Sequence, residues 1–129
     1  MKVAVLDDWF DSLRHLPCFR HLDGFEVDVF TDHVTDTDAL AARLKPYDAI
    51  TLFRERTAIT ATLVDQLPHL KLISQRSVYP HIDIDACTKN KILVCSNLKS
   101  GTPPYAAAEH TWALIMAAMR DLPAQMASL

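Results

Sequence analysis

Three arginines, Arg54, Arg56 and Arg76, follow short apolar runs, in Leu52-Phe53-Arg54-Glu55-Arg56-Thr57 and Leu72-Ile73-Ser74-Gln75-Arg76. A guanidinium carries a planar fork of donors that matches a carboxylate or phosphate, so arginines gathered at one edge would hold a small anion. The plainer alternative is a surface network in which they pair with Asp7, Asp8 and Glu55, an arrangement that is common and weak. Asp7-Asp8 itself invites a second chemistry, a magnesium-binding phosphoacceptor site. That design needs a further aspartate after the third apolar run, where Phe53-Arg54 stands, and an arginine repels a cation. On the plain reading, Asp8 caps the following helix and Asp7 is solvated.

The other reactive residues converge less. The six histidines form no H-x-x-x-H or H-E-x-x-H pattern and meet no cysteine or carboxylate cluster, so no metal site is expected. In His81-Ile82-Asp83-Ile84-Asp85 the polar residues read as helix cap and surface. Glu109 and His110 are helical neighbours that point about 100° apart and cannot readily act on one atom. There is no G-x-S-x-G elbow and no Cys-His pair, so the residues alone define no complete active site.

Composition narrows the classes. The chain has 129 residues, is 50% hydrophobic and carries a net charge of -3 with its basic residues scattered, which suits one soluble domain and makes nucleic acid an improbable partner. It has two glycines, Gly24 and Gly101, where average usage of about 7% gives about nine. They cannot build a phosphate-cradling G-x-G-x-x-G turn. Cys18, Cys87 and Cys95 form no C-x-x-C pair and read as buried thiols of a reducing compartment; with no leader-like or membrane-length apolar segment, the expectation is a cytoplasmic protein.

Five segments rich in Val, Ile, Leu and Phe read as strands: Lys2-Leu6, Phe25-Phe30, Ala49-Phe53, Leu70-Ser74 and Ile92-Cys95. Helical spacing between them covers Phe10 to Phe19, Asp38 to Leu44 and Thr60 to Leu67, with a short helix over Asp83 to Lys89. The alternation predicts an α/β fold, a doubly wound parallel sheet of about five strands with helices on both faces, and ligands at the strands' carboxyl ends. A last helix, Pro103 to Arg120, is apolar all round except for the consecutive Glu109, His110 and Thr111. Such a helix needs cover, and self-association through residues 105–119 is expected.

The ordered set Leu52-Phe53-Arg54-Glu55-Arg56-Thr57, Leu70-Lys71-Leu72-Ile73-Ser74-Gln75, His81-Ile82-Asp83-Ile84-Asp85-Ala86-Cys87 and Ala107-Ala108-Glu109-His110-Thr111-Trp112-Ala113-Leu114-Ile115 resembles the amino-terminal half of the D-isomer-specific 2-hydroxyacid dehydrogenases, in their D-3-phosphoglycerate dehydrogenase-like branch. The resemblance implies a flavodoxin-like substrate domain over residues 1–102. It makes 103–129 a crossing helix and tail that lead to a Rossmann domain. It places Arg54 in the family's V-R-S-x-T stretch, which helps hold the acid, with Glu55 replacing the usual serine. It makes Gln75 to His81, with Arg76, Ser77, Val78 and Tyr79, the loop whose backbone amides receive the substrate carboxylate. It sets Thr111 near the nicotinamide.

Two departures accompany it. The substrate loop lacks the family's glycines, is one residue shorter and contains Pro80, which has no amide proton. The family's dinucleotide fingerprint and its catalytic Arg, Glu and His all fall beyond Leu129. The implied chemistry is NAD-dependent oxidation of a small 2-hydroxy acid or reduction of a 2-oxo acid. This chain alone is expected to bind no NAD, to contribute no catalytic residue and to transfer no hydride. The alternative is a stand-alone, non-catalytic module for binding small acids or proteins.

Overall fold

The computed structural model describes residues 1–97 and 105–128. Strands β1 (Lys2–Val5), β2 (Glu26–Val29), β3 (Ala49–Phe53), β4 (Leu72–Arg76) and β5 (Leu93–Ser96) form one sheet in the order β2-β1-β3-β4-β5. All four pairings are parallel, with Val3 beside Val27 and Ala49, Ile50 beside Ile73, and Gln75 beside Ser96. The strand order and direction are those of the expected flavodoxin-like fold.

Three helices cover one face of this sheet. Each of α1 (Thr37–Leu44), α2 (Ala61–Val64) and α3 (Ile84–Lys89) begins where a side-chain oxygen accepts from an otherwise unpaired helical N–H: Asp36 from Ala39 at 2.8 Å, Thr60 from Leu63 at 3.3 Å and Asp83 from Ala86 at 2.9 Å. Their buried residues Leu40, Leu44, Leu63, Val64 and Cys87 close over Ala4, Ile50, Leu52 and Ile73 of the strands, and Leu6 just after β1, in one apolar core. None of these three helices lies on the opposite face.

The first connection departs from expectation. In place of a helix over Phe10 to Phe19 there are two 3-10 segments, Leu13–His15 and Pro17–Leu22, without a buried residue. Pro17 explains the break: its ring pushes the preceding residue out of the helical region, and Leu16 is extended at φ -78 and ψ 137. Strand β4 runs two residues later than predicted at each end, because the Leu70 amide is bound to the Leu67 carbonyl while the ladder with β3 continues to Phe53 and Arg76. Gln75 and Arg76 are therefore strand residues and the loop begins at Ser77. The thiols also differ from expectation: only Cys87 is buried, where burial raises its pKa, while Cys18 and Cys95 are exposed.

The chain divides into two units, Met1–Leu98 and Lys99–Leu129. The second contains α4 (Ala106–Met119), within the predicted helix, and an unanticipated α5 (Leu122–Ala127). Asp121, at φ 51, separates them, and Pro123 occupies the first turn of α5, where its missing N–H costs no helical hydrogen bond. No residue of α4 is buried, and Trp112, Leu114, Met116 and Met119 are exposed. The predicted helix start at Pro103-Pro104 lies outside the described residues, as does Gly101. No described helix is long and apolar enough to cross a membrane.

Candidate functional site

The carboxyl edge of the sheet is set apart by its backbone. Asp7 after β1, Arg54 after β3 and Ser77 after β4 have φ of 61, 60 and 89, a left-handed conformation that side chains other than glycine disfavour. Surroundings that hold such residues in place tend to be found at binding sites. Two buried polar side chains supply the hold here.

One is Asp7, 2% exposed, which corrects its reading as a solvated residue. Its carboxylate accepts from the Thr57 hydroxyl at 2.6 Å and lies 2.7 Å from His33 Nδ1, while its backbone carbonyl accepts from Arg56 Nη1 at 2.6 Å. The Arg56 guanidinium is stacked over the Trp9 ring, 4.2 Å from its centre. Asp8 does cap the next segment, accepting from the Ser12 and Leu13 amides and the Ser12 hydroxyl. Burial pushes its pKa up, and the hydrogen bonds from Leu13 and Ser12 outweigh this and hold it below the usual carboxylate range.

The other is Gln75, also 2% exposed. Its Nε2 donates to the carbonyls of Arg54 at 3.1 Å, Arg76 at 3.0 Å and Val78 at 2.8 Å, so one amide fastens both loops that carry the predicted acid contacts. The Ser96 hydroxyl adds a 2.6 Å bond to the Ser77 carbonyl. Gln75 Oε1 and both ring nitrogens of His81 are buried without a partner among the described residues. His81 is thus not the surface residue predicted. Burial pushes its pKa down, opposed by the charge of Glu55.

The arginines form no ion pair. No carboxylate lies within ion-pair distance of Arg54, Arg56 or Arg76 among the described residues, and all three are exposed. The surface network that would pair them with Asp7, Asp8 and Glu55 does not form, because Asp7 is spent on Thr57 and His33, and Asp8 on Ser12 and Leu13. What remains is an edge with three exposed cations, none of them ion-paired among the described residues, and a loop whose conformation is fixed from beneath, an arrangement suited to a small anion.

Of the predicted contacts, Arg54, Arg76, Ser77, Val78 and Tyr79 gather at the ends of β3 and β4. Tyr79 also lines, with Ile84, Val94 and Ser96, a concavity of about 260 Å³. Thr111 belongs to the second unit, where its hydroxyl donates to the Ala107 carbonyl one helical turn back at 2.8 Å. Sequence reasoning placed Gln75 in the substrate loop but missed its role as a buried clamp, and missed the bonding of Asp7 to Thr57 and His33. The Asp7-Asp8 doublet was a signal for Asp7, whereas nothing in the spacing joins residue 33 to residue 7. A dinucleotide does not fit the described residues: the one described glycine, Gly24, lies before β2 at the opposite edge, and among the described residues the carboxyl edge has no glycine turn for a pyrophosphate. Among the described residues no three His, Cys, Asp or Glu side chains are grouped to hold a metal.

Comparison with known proteins gives this geometry its context. Residues 3–126 match the D-isomer specific 2-hydroxyacid dehydrogenase, catalytic domain, family. The D-3-phosphoglycerate dehydrogenase of Mycobacterium bovis is 36% identical over 107 residues, covering 82% of this chain and 20% of that protein. A glyoxylate reductase of Aeropyrum pernix is 35% identical over 85 residues, covering 64% of this chain and 24% of that protein. The crystal structure of a phosphoglycerate oxidoreductase from Vibrio cholerae superimposes with a TM-score of 0.83 at 47% identity, covering 95% of this chain and 38% of that one. The chain spans about a fifth of the length of the first curated relatives it matches. Matched over nearly all its residues, the chain belongs to the D-isomer-specific 2-hydroxyacid dehydrogenases, an NAD-dependent family, and corresponds to their catalytic, substrate-binding domain in the D-3-phosphoglycerate dehydrogenase-like branch.

Proposed function

We propose that this chain is the acid-binding half of an NAD-dependent D-2-hydroxyacid dehydrogenase, with residues 1–102 as the substrate domain and 103–129 as the crossing helix and its tail. Arg54 and Arg76 hold the carboxylate of a small 2-hydroxy or 2-oxo acid together with the loop Ser77, Val78 and Tyr79. Thr111 faces the nicotinamide in the complete enzyme. Hydride transfer is assigned to a dinucleotide-binding domain that the described residues do not provide, and a cytoplasmic setting suits such an enzyme.

The observation that carries this reading is the state of the arginines: three exposed cations without carboxylate partners among the described residues, beside a loop that Gln75 holds in place. Ser77 adds support, because at φ 89 it gives the loop a glycine-like turn although the family's glycines are absent. Titration of the chain with pyruvate and oxalate, followed through the backbone amides of residues 75–79, tests it. Those amides shift in the wild type, and Arg54→Ala weakens binding by roughly tenfold or more, as loss of a charge-assisted hydrogen bond of about 1.5 to 3 kcal/mol requires. Unmoved amides would remove the reading, and oxidation of NADH by the isolated chain would show that it carries its own cofactor site. Micromolar binding without cofactor would favour the non-catalytic acid-binding module.

The exposed apolar side chains of α4 support self-association through residues 105–119 with a second copy of the chain. Light scattering is expected to give twice the chain mass, and a constant 14.5 kDa at every concentration would exclude it.

A further inference from the structure

The ends of β3, β4 and β5 lie side by side in that order, and each offers something different. Beyond β3 stands Arg54, and beyond β4 the loop Ser77, Val78 and Tyr79 proposed above to hold the carboxylate. Beside β5 is the concavity of about 260 Å³ lined by Tyr79, Ile84, Val94 and Ser96. Pockets that enclose most of a ligand run from roughly 300 to 1,000 Å³, so this one suits a single end of a small molecule.

The recess and the acid loop are one construction. The carbonyls of Arg76 and Val78 accept from Gln75 Nε2 at 3.0 and 2.8 Å, and the Ser77 carbonyl between them accepts from the Ser96 hydroxyl at 2.6 Å. Successive carbonyls are thus taken up by side-chain donors, and the next residue, Tyr79, is already a wall of the recess. An acid seated on this loop, with Arg54 on its β3 side, has the recess on its β5 side.

The walls decide what enters. Val94 and Ser96 alternate along β5 and so face the same way, and Val94 packs against the apolar core. Ile84 opens α3 and, like Tyr79, is 37% exposed. Ser96 directs its proton to the Ser77 carbonyl, and among the described residues no charged side chain lines the recess, which leaves the Tyr79 phenol as its one side-chain donor. A carboxylate or phosphate entering here gives up water for too few donors, whereas an apolar group gains by leaving water.

We propose that this recess receives the non-reacting end of the acid and selects an apolar one, a branched aliphatic or aromatic substituent, with Tyr79, Ile84 and Val94 as the specificity-determining residues. This rests on the acid-binding reading and names the class of acid that the site takes.

The test is NMR on the full chain, with amides and methyl groups labelled, against a matched set of probes. Pyruvate is compared with 4-methyl-2-oxopentanoate, which has an isopropyl group in place of one methyl hydrogen, and with phosphonopyruvate, which has a phosphonate there. The isopropyl acid is expected to bind tenfold or more tighter than pyruvate, since each buried methylene contributes roughly a fourfold gain. It also binds tighter than the phosphonate, and it shifts the methyl groups of Ile84 and Val94. Ile84→Ala, which trims an exposed wall with a residue that suits a helix, cuts the preference over pyruvate to about threefold or less. If phosphonopyruvate binds the tighter of the two, or if those methyl groups stay still while the amides of residues 75–79 move, this inference falls and the acid site stands. Methyl shifts that follow protein concentration instead of acid would give the recess to a neighbouring copy and overturn it as well. If the amides respond to none of the probes, both readings fall. The wild-type comparison decides even where the variant fails to fold.

Discussion

The two edges of the sheet are built on opposite rules. At the amino edge charges are matched: Lys2 Nζ reaches Glu26 at 2.7 Å and Asp28 at 3.4 Å, Asp48 accepts from the Lys2 amide and from Lys71 Nζ, each at 2.9 Å, and Tyr47 donates to Asp28 at 2.7 Å. At the carboxyl edge Asp32 and Arg43 are matched at 2.6 Å, but among the described residues Arg54, Arg56 and Arg76 have no carboxylate within ion-pair distance, while the buried Asp7 and Gln75 are bonded to Thr57, His33 and backbone groups. One edge satisfies itself and contributes to stability; the other spends its buried groups on holding shape and leaves its cations for something else. On the proposed reading, charge placement separates a folding edge from a binding edge even where residue types are similar.

The sharpest way to break the comparison is to remove one polar anchor from each edge. Gln75→Leu leaves the carbonyls of Arg54, Arg76 and Val78 without their shared donor and is expected to cost about 2 to 4 kcal/mol in urea unfolding while also weakening acid binding. At the other edge, Tyr47→Phe removes the bond to Asp28 and is expected to cost about 1 kcal/mol with acid binding unchanged. Equal binding losses from both would mean that the edges are not functionally distinct.

Tyr47 also predicts a pH signature. Burial, then the hydrogen bond to Asp28, pushes its pKa from 10.0 up to about 12. The fold favours the neutral phenol, so its contribution is complete below pH 10 and is lost as pH rises from there through about 12. Unfolding measured across that window should show a decline in the wild type that Tyr47→Phe flattens.

How far the sequence foretold these edges follows from the range of each interaction. Strand alternation and helix caps are local, so Ala49–Phe53, the capping by Thr60 and the short helix after Asp83 were legible from neighbouring residues. That Arg54 and Arg76 stand close together was legible because they lie at the ends of strands that a parallel sheet places side by side. Asp7 with His33, and Gln75 with Arg54, join residues 26 and 21 positions apart through side-chain geometry, and no periodicity encodes that. Pro17 was visible in the sequence yet lost to the apolar spacing around it, although its effect on Leu16 follows from sterics alone.

The smallest predicted effect is also the cleanest comparison of the edges, because each contains one turn with almost the same backbone angle. Gly24, before β2, has φ 91 with nothing within 4 Å of where a Cβ would stand; Ser77, after β4, has φ 89. The amino edge meets this angle with the residue that adopts it freely, and the carboxyl edge holds a serine there against its preference. Gly24→Ser isolates the backbone cost, since no neighbour is displaced, and should destabilise by about 1 kcal/mol. Ser77→Gly relieves the same strain, offset in part by the freer unfolded chain, and should stabilise by about 0.5 kcal/mol. If Ser77→Gly instead destabilises, the serine side chain supports the loop by more than its backbone costs, and strain would no longer distinguish the binding edge from the folding edge.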